Sequence, residues 1–200
     1  MTGLWIAVGV LVVLLVILVT GGFLALAMGR LHLDLGWGRS LHRLGPIQVR
    51  IEAPRELVYE ILSAPYVGRA RNESIDVLAR GETLVVASHL TKVHFYEART
   101  VEAIDLAPPA RMGFMHLTGP VPYAVEEFRL EPEREATELR YDGELGIDFF
   151  LLGRIAARRW VIPQWHRAVG EHLDDVKARA EQRAQRARAR ESADGPARGE

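Results

Sequence analysis

Between Leu4 and Met28 the chain has no charged side chain, and Arg30 is the first charge after it. The run reads LWIAVGVLVVLLVILVTGGFLALAM. A hydrocarbon core about 30 Å thick needs roughly 20 apolar residues in a helix. This run is long enough to cross one with some tilt. Its alternatives are a buried globular helix and a secretory signal. Ala25-Leu26-Ala27 has the small-residue pattern of a cleavage site, but no Lys or Arg precedes the run, and it is about twice a typical signal h-region. Residues 1–29 are therefore expected to be a retained transmembrane anchor. The N-terminal side offers only the α-amino group, whereas Arg30, Arg39, Arg43 and Arg50 follow the run. The positive-inside rule then places the N-terminus outside and the rest in the cytoplasm, as a single-pass protein of the cell membrane.

Residues 30–45 form a juxtamembrane junction. Leu31, Leu33, Leu35 and Trp37 alternate there with polar or small residues. Trp37 among Arg residues fits an interfacial belt; an edge strand or a plain linker fits equally well. What remains is one domain of ordinary size, residues 46–181, and a tail, residues 182–200. The formal net charge of −1 gives no global pull toward nucleic acid. The absence of cysteine excludes disulfides, thiol catalysis and Cys-ligated zinc. Lysine occurs only at Lys92 and Lys177, an Arg bias expected of a GC-rich bacterial genome.

Pro46 to Glu52 alternates apolar and polar residues as a half-buried strand does. Pro54 suits the first position of a helix. Leu57, Val58, Ile61 and Leu62 mark one helical face, which Ala64-Pro65 should end. A short helical or irregular piece to about Asn72 follows. Six strand-like runs come next, at 74–79, 83–93, 95–106, 111–117, 123–130 and 137–145, separated by turn signals such as Pro108-Pro109 and Gly119-Pro120. That spacing predicts an antiparallel meander. From about Phe149 the period turns helical, through Trp165, Val169, Val176 and Ala180, with Pro163 expected to kink or begin the helix. Residues 182–190 are basic and helix-prone, and 192–200 look disordered.

This order, with Val49 to Leu62 as strand, small residue with Pro and apolar helix, resembles the START-like helix-grip superfamily, in its polyketide cyclase/dehydrase and lipid-transport group. Phe128-Arg129-Leu130-Glu131-Pro132 with Thr137-Glu138-Leu139 resembles its late hairpin, and Val176 to Glu181 the end of its last helix. The resemblance implies an α+β fold in which a curved antiparallel sheet wraps around a long C-terminal helix and leaves a cavity between them. Such pockets are mostly apolar with a few placed polar groups. A fold shared this widely does not assign chemistry.

Candidate ligand-binding residues follow from facing. If Phe128 and Leu130 point inward, Glu126 does too, and burial would raise its pKa; a register slip would put Glu127 there instead. Tyr141 shares a face with Leu139 and Leu145 and offers a hydroxyl, or else packs with that hydroxyl reaching water. His116 lies beside Phe114 and Met112. Trp160 and Trp165 flank Pro163, and either line the cavity mouth or pack on the sheet. His89 and His94 are five apart and face opposite ways on a regular strand, and no HxH or HExxH spacing accompanies them, so no metal site is expected. No GxSxG elbow, phosphate-binding loop or cofactor motif is present. The Arg-rich tail either touches anionic headgroups or is a solvated helix end; no aromatic stacking set points to nucleic acid.

Three functions fit. The leading one is a membrane-anchored domain binding a hydrophobic small molecule, such as a lipid, quinone or polyketide-like compound, without turnover. The second is a cyclase- or dehydratase-type enzyme with Glu126, His116 or Tyr141 in acid–base roles. The third is a scaffold acting through the Arg-rich tail. Convergence of polar side chains on one point would favour the second, and scattering would favour the first.

Overall fold

The computed structural model describes residues 2–68, 73–93 and 96–194. Eight antiparallel strands form one sheet: β1 (Ser40–Arg43), β2 (Ile47–Ile51), β3 (Ile75–Arg80), β4 (Leu84–Val93), β5 (Tyr96–Ala107), β6 (Arg111–Thr118), β7 (Tyr123–Glu133) and β8 (Ala136–Ile147). The order is β1-β8-β7-β6-β5-β4-β3, and β2 also pairs with β8. Four helices accompany it: α1 (Thr2–Ala27), α2 (Arg55–Val67), α3 (Phe150–Ala156) and α4 (Ile162–Asp194), with a π-helical turn, Ala157–Val161, between the last two. This is the α+β helix-grip architecture that the resemblance implied.

The six-run meander is β3 to β8, displaced by a residue or so at most ends; β7 runs on to Glu133, through Pro132. Alternation sets the inner face. Val85, Ala87, Ile104, Met112, Phe128, Leu130, Leu139, Tyr141 and Leu145 are all buried there. On α4, Val169, Leu173, Val176, Ala180 and Ala184 recur at three- and four-residue steps and close onto that face, while Val58, Ile61 and Leu62 of α2 pack at its side. Burying each such aliphatic side chain contributes about 1.5–3 kcal/mol.

Four local readings change. The junction is no free linker: Ser40–Arg43 forms β1 on the far half of β8, and β2 continues along its near half. The chain passes between them at Gly45, where a Cβ would lie 2.6 Å from the Tyr141 carbonyl oxygen. One helix follows β2, and it outlasts Ala64-Pro65 by a turn's fraction to Val67, because the proline's missing N–H disturbs only the final bonds; residues 69–72 of the expected second piece lie outside the described residues. Pro163 does neither expected thing cleanly. Its missing N–H coincides with the π-helical turn just before it, and the helix continues. Finally α4 reaches Asp194, past the expected onset of disorder at 192, while 195–200 lie outside the described residues. Arg183 reaches Glu60 at 3.0 Å and Arg188 reaches Glu135 at 3.6 Å, so part of the basic extension is tied to the domain.

α1 stands off the sheet. Over Gly3–Ala27 its mean hydropathy is 3.0, and its side chains are exposed apart from the last turns. It stops in a Schellman arrangement: Arg30 N–H donates to Ala25 O and Gly29 N–H to Leu26 O, with Gly29 at φ +66°. A Cβ on Gly29 would sit 3.0 Å from the Arg99 carbonyl oxygen, so the end of α1 rests on β5. From there His32 reaches the Gly119 carbonyl, and Asp148 holds the chain further on. The Asp148 carboxylate accepts bonds from Arg39 Nε at 2.8 Å and from the Leu35 and Gly36 N–H groups at 3.0 Å.

Candidate functional site

Five strands and α4 aim polar groups into the space between sheet and helix. Glu126 on β7 shares its face with Phe128 and Ala124, and Glu127 points the other way, toward Arg111. The Glu126 Oε2 accepts the Tyr141 hydroxyl at 2.5 Å and the Trp165 indole N–H at 2.9 Å. Trp165 Nε1 also lies 3.1 Å from the Tyr141 oxygen. His116 on β6 comes within 4.0 Å of Glu126 Oε1. Its Nε2 makes a shorter contact, 2.8 Å, to Glu102 on β5, and His89 on β4 holds the other oxygen of Glu102 at 2.9 Å. The Thr100 hydroxyl donates to Glu102 at 3.0 Å. The result is a continuous polar chain across the sheet, His89–Glu102–His116–Glu126–Tyr141, with Trp165 closing it from α4.

Local register builds this chain. Glu102 pairs with His116, but Val101 pairs with Thr118, so Leu117 is an extra residue on β6. A bulge of this kind re-aims neighbouring side chains. The bulge lies beyond His116, which shares the inner face with Met112 and Phe114 by plain alternation and stands directly opposite Glu102, while its ring lies 5.3 Å from that of Trp165. The surroundings are aromatic: Phe114 and Phe128 meet edge-on at 5.6 Å, Tyr66 meets Phe114 at 5.7 Å, and Phe128 meets Tyr141 at 5.2 Å.

Burial sets the charges. Burial pushes the Glu126 carboxyl above its ordinary range, the charge of Glu102 adds to this, and the bonds from Tyr141 and Trp165 offset only part of it. Glu102 is equally secluded, and burial would raise it as well. Hydrogen bonds from His116 and His89 outweigh that and hold it below the usual carboxylate range. His116 loses by burial but gains more from Glu102, so its pKa lies above that of a free imidazole. Burial drives the Tyr141 hydroxyl up, and nearby Glu126 drives it further. The two buried carboxylates thus have opposite preferences, an arrangement that separates acid from base roles. Among the described residues, His116 Nδ1 and His89 Nε2 are buried without a hydrogen-bond partner.

Of the residues singled out in the sequence, Glu126, Tyr141, Trp165, His116, Phe114 and Phe128 come together here. Trp160 does not: it is 63% exposed on the π-helical turn, five residues before Trp165 and off the helix face that carries Trp165. Glu102 was missed. The signal for it was present, since Thr100, Glu102, Ile104 and Leu106 alternate on one face. His89 joins the cluster through Glu102 rather than through a metal; no metal-holding group occurs among the described residues, and His94 lies outside them. An open groove of about 690 Å³ lies on the outer face of the sheet, where Arg111, Glu127, Arg129, Arg140 and Asp142 pair with one another. Between sheet and α4, the ring of Phe128 meets those of Phe114 and Tyr141, and Trp165 reaches the Tyr141 oxygen, so these side chains fill that space together.

No family model matches the sequence, and no curated protein matches it. Solved structures do match in fold. ZhuI aromatase/cyclase from Streptomyces sp. R1128 aligns at 19% identity with a TM-score of 0.58, over 72% of this chain and 96% of that one. TTHA0849 from Thermus thermophilus aligns at 18% and 0.56, over 70% and 97%. The di-domain aromatase/cyclase BexL aligns at 16% and 0.51, over 74% of this chain and 50% of that one. At these identities the likeness establishes the helix-grip fold and nothing finer.

Proposed function

We propose that this START-like helix-grip domain is held at a membrane by α1 and takes up a hydrophobic small molecule between its sheet and α4. The supporting observation for uptake, whether or not turnover follows, is the convergence of Glu126, Tyr141, Trp165 and His116 in an interior otherwise made of aromatic and aliphatic side chains, and this same convergence is what the enzyme reading below requires. An apolar site with a few convergent polar groups orients a ligand by its one polar end. A molecule with a ring or chain and a carbonyl or hydroxyl group fits: a lipid, a quinone or a polyketide-like compound. Its oxygen would replace part of the mutual bonding of Glu126, Tyr141 and Trp165. In this reading the N-terminus lies outside and the domain in the cytoplasm, an orientation supported by the Arg distribution around α1. Digestion of the domain by protease added to intact cells would refute that orientation.

A second reading is favoured by one specific feature. The Glu126 oxygen and the Tyr141 hydroxyl lie 2.5 Å apart, so one ligand atom can touch both. A neutral Glu126 would donate its proton to a departing hydroxyl or a carbonyl oxygen, and His116 with Glu102 would restore it. This is the chemistry of a cyclase or dehydratase. The scaffold reading is weaker, because Arg183 and Arg188 are engaged within the domain.

The test is native purification of the full chain in detergent-free lipid discs, followed by mass spectrometry of what is extracted. A compound enriched over the disc lipids and lost in Glu126→Leu supports uptake at this site. A chain that carries nothing, and binds none of a panel of lipids, quinones and polycyclic phenols, would refute it. Conversion of a bound compound by wild type but not by Glu126→Gln selects the enzyme.

A further inference from the structure

We infer that α3 and the π-helical turn form a second membrane contact, lying in the headgroup region of the bilayer that α1 crosses. The inference rests on the anchoring proposed above. Phe150, Leu151, Leu152 and Ile155 of α3 are each half exposed or more, Leu152 reaching 76%, and Trp160 is 63% exposed one turn later. None belongs to the core, and an apolar patch this continuous marks an interaction surface.

The segment is built to present these residues. Phe149 and Phe150 take left-handed φ values of 75° and 50°, which bulky residues rarely adopt. Their N–H groups are held by the carbonyls of Trp37 and Gly38, at 2.8 and 3.0 Å. Trp37 meets the ring of Phe150 edge-on at 5.3 Å. Gly153 allows α3 to fold tightly back, since a Cβ there would meet the Asp148 carbonyl at 1.7 Å.

Three observations identify the occupant as lipid. The first is charge: Arg154, Arg158 and Arg159 are exposed among these residues, and no acidic residue occurs from Phe149 to Val161. Anionic headgroups attract such a set. The second is composition, since Trp, Phe and Leu beside Arg suit the boundary between headgroups and acyl chains. The third is continuity. The end of α1 at Gly29, the exposed Leu31, Leu33, Leu35 and Trp37, and the start of α3 all lie at one end of the sheet, the end of the Gly119 turn. His116 is two residues from the end of β6 there, with Glu102 opposite it on β5. A hydrophobic ligand leaving the leaflet would therefore meet α3 first and the polar chain next.

The chain has no cysteine, so single labels are unambiguous. An environment-sensitive fluorophore is placed at Leu152→Cys, at Leu14→Cys inside α1, and at Glu135→Cys at the far end of the sheet. Each full-length variant is reconstituted in vesicles of phosphatidylcholine and phosphatidylglycerol. The inference expects the Leu152 label to be blue-shifted, quenched by spin-labelled acyl chains and protected from aqueous iodide. The Glu135 label should behave in the opposite way. Replacing the three arginines by Gln should restore iodide access in part. A Leu152 label as open to iodide as that at Glu135 overturns the inference, even where Leu14 is lipid-quenched and the span itself holds. A Leu152 label shielded from both quenchers overturns it in favour of a protein partner. Failure of lipid quenching at Leu14 overturns the anchoring instead, and lipid quenching at Leu152 would then sustain the contact without it.

Discussion

Glu102 and Glu126 are the residues whose chemistry differs most from their ordinary behaviour, and pH separates them. Glu102 has a folded pKa below its unfolded one. Its contribution to stability is present above about pH 4.3 and is lost as pH falls through the depressed value. His116 is raised, so its contribution is full below about pH 6.5 and is lost as pH rises through the folded value. Glu102→Gln removes the carboxylate between two histidines. It should lower stability by about 3 kcal/mol in urea unfolding, and should bring the His116 pKa, followed by imidazole proton shifts in NMR, below that of wild type. Glu126 has the reverse sign from Glu102, because its folded pKa is raised. The stability it gives is full below about pH 4.3 and declines as pH rises through the raised value. Glu126→Gln should therefore show a flatter stability–pH profile, gaining on wild type toward high pH; an unchanged slope would contradict the raised carboxyl. Alternation around Phe128 made Glu126 legible in the sequence, and the same rule applied to β5 reveals Glu102. What no spacing within one strand reveals is the register between strands, which sets His116 opposite Glu102 and within reach of Glu126.

At the scale of elements, the strands announced themselves because alternation and turn residues are local signals. β1 and the π-helical turn did not. The pairing of β1 with β8 is set by residues more than a hundred positions away, and the turn is a compromise between Pro163 and a helix that tertiary packing requires to continue. Two glycines in the C-terminal helical region make the packing measurable. Gly153→Ala places a methyl group against the Asp148 backbone and should cost about 1–3 kcal/mol, with α3 displaced. Gly170→Ala, in α4 with nothing within 4 Å of the new methyl, should stabilise by roughly 0.5–1 kcal/mol. Thermal unfolding of the two variants, compared with wild type, checks both signs at once.

In the whole molecule, Asp148 joins the segment that follows α1 to the sheet. Its side chain is 3% exposed, and bonding to Arg39, which outweighs the opposing effect of desolvation, holds its pKa below that of a free aspartate. The clasp is therefore in force above about pH 3.9 and weakens as pH falls through the lower folded value. Asp148→Asn should release residues 34–39, speed hydrogen exchange at the Leu35 and Gly36 amides that donate to it, and cost about 1–3 kcal/mol. The clasp also sets how far the domain can travel. With the chain pinned from Leu35 onward and α1 resting on β5, the intervening four residues, Leu31 to Asp34, span at most roughly 14 Å when fully extended. If α1 spans a bilayer as proposed above, a domain on so short a leash cannot commute between separate membranes. On that proposal its encounters with ligand would be governed by lateral diffusion within one leaflet, so the relevant concentration would be molecules per area of bilayer rather than per volume of solution, and whatever receives the ligand would have to come to that surface.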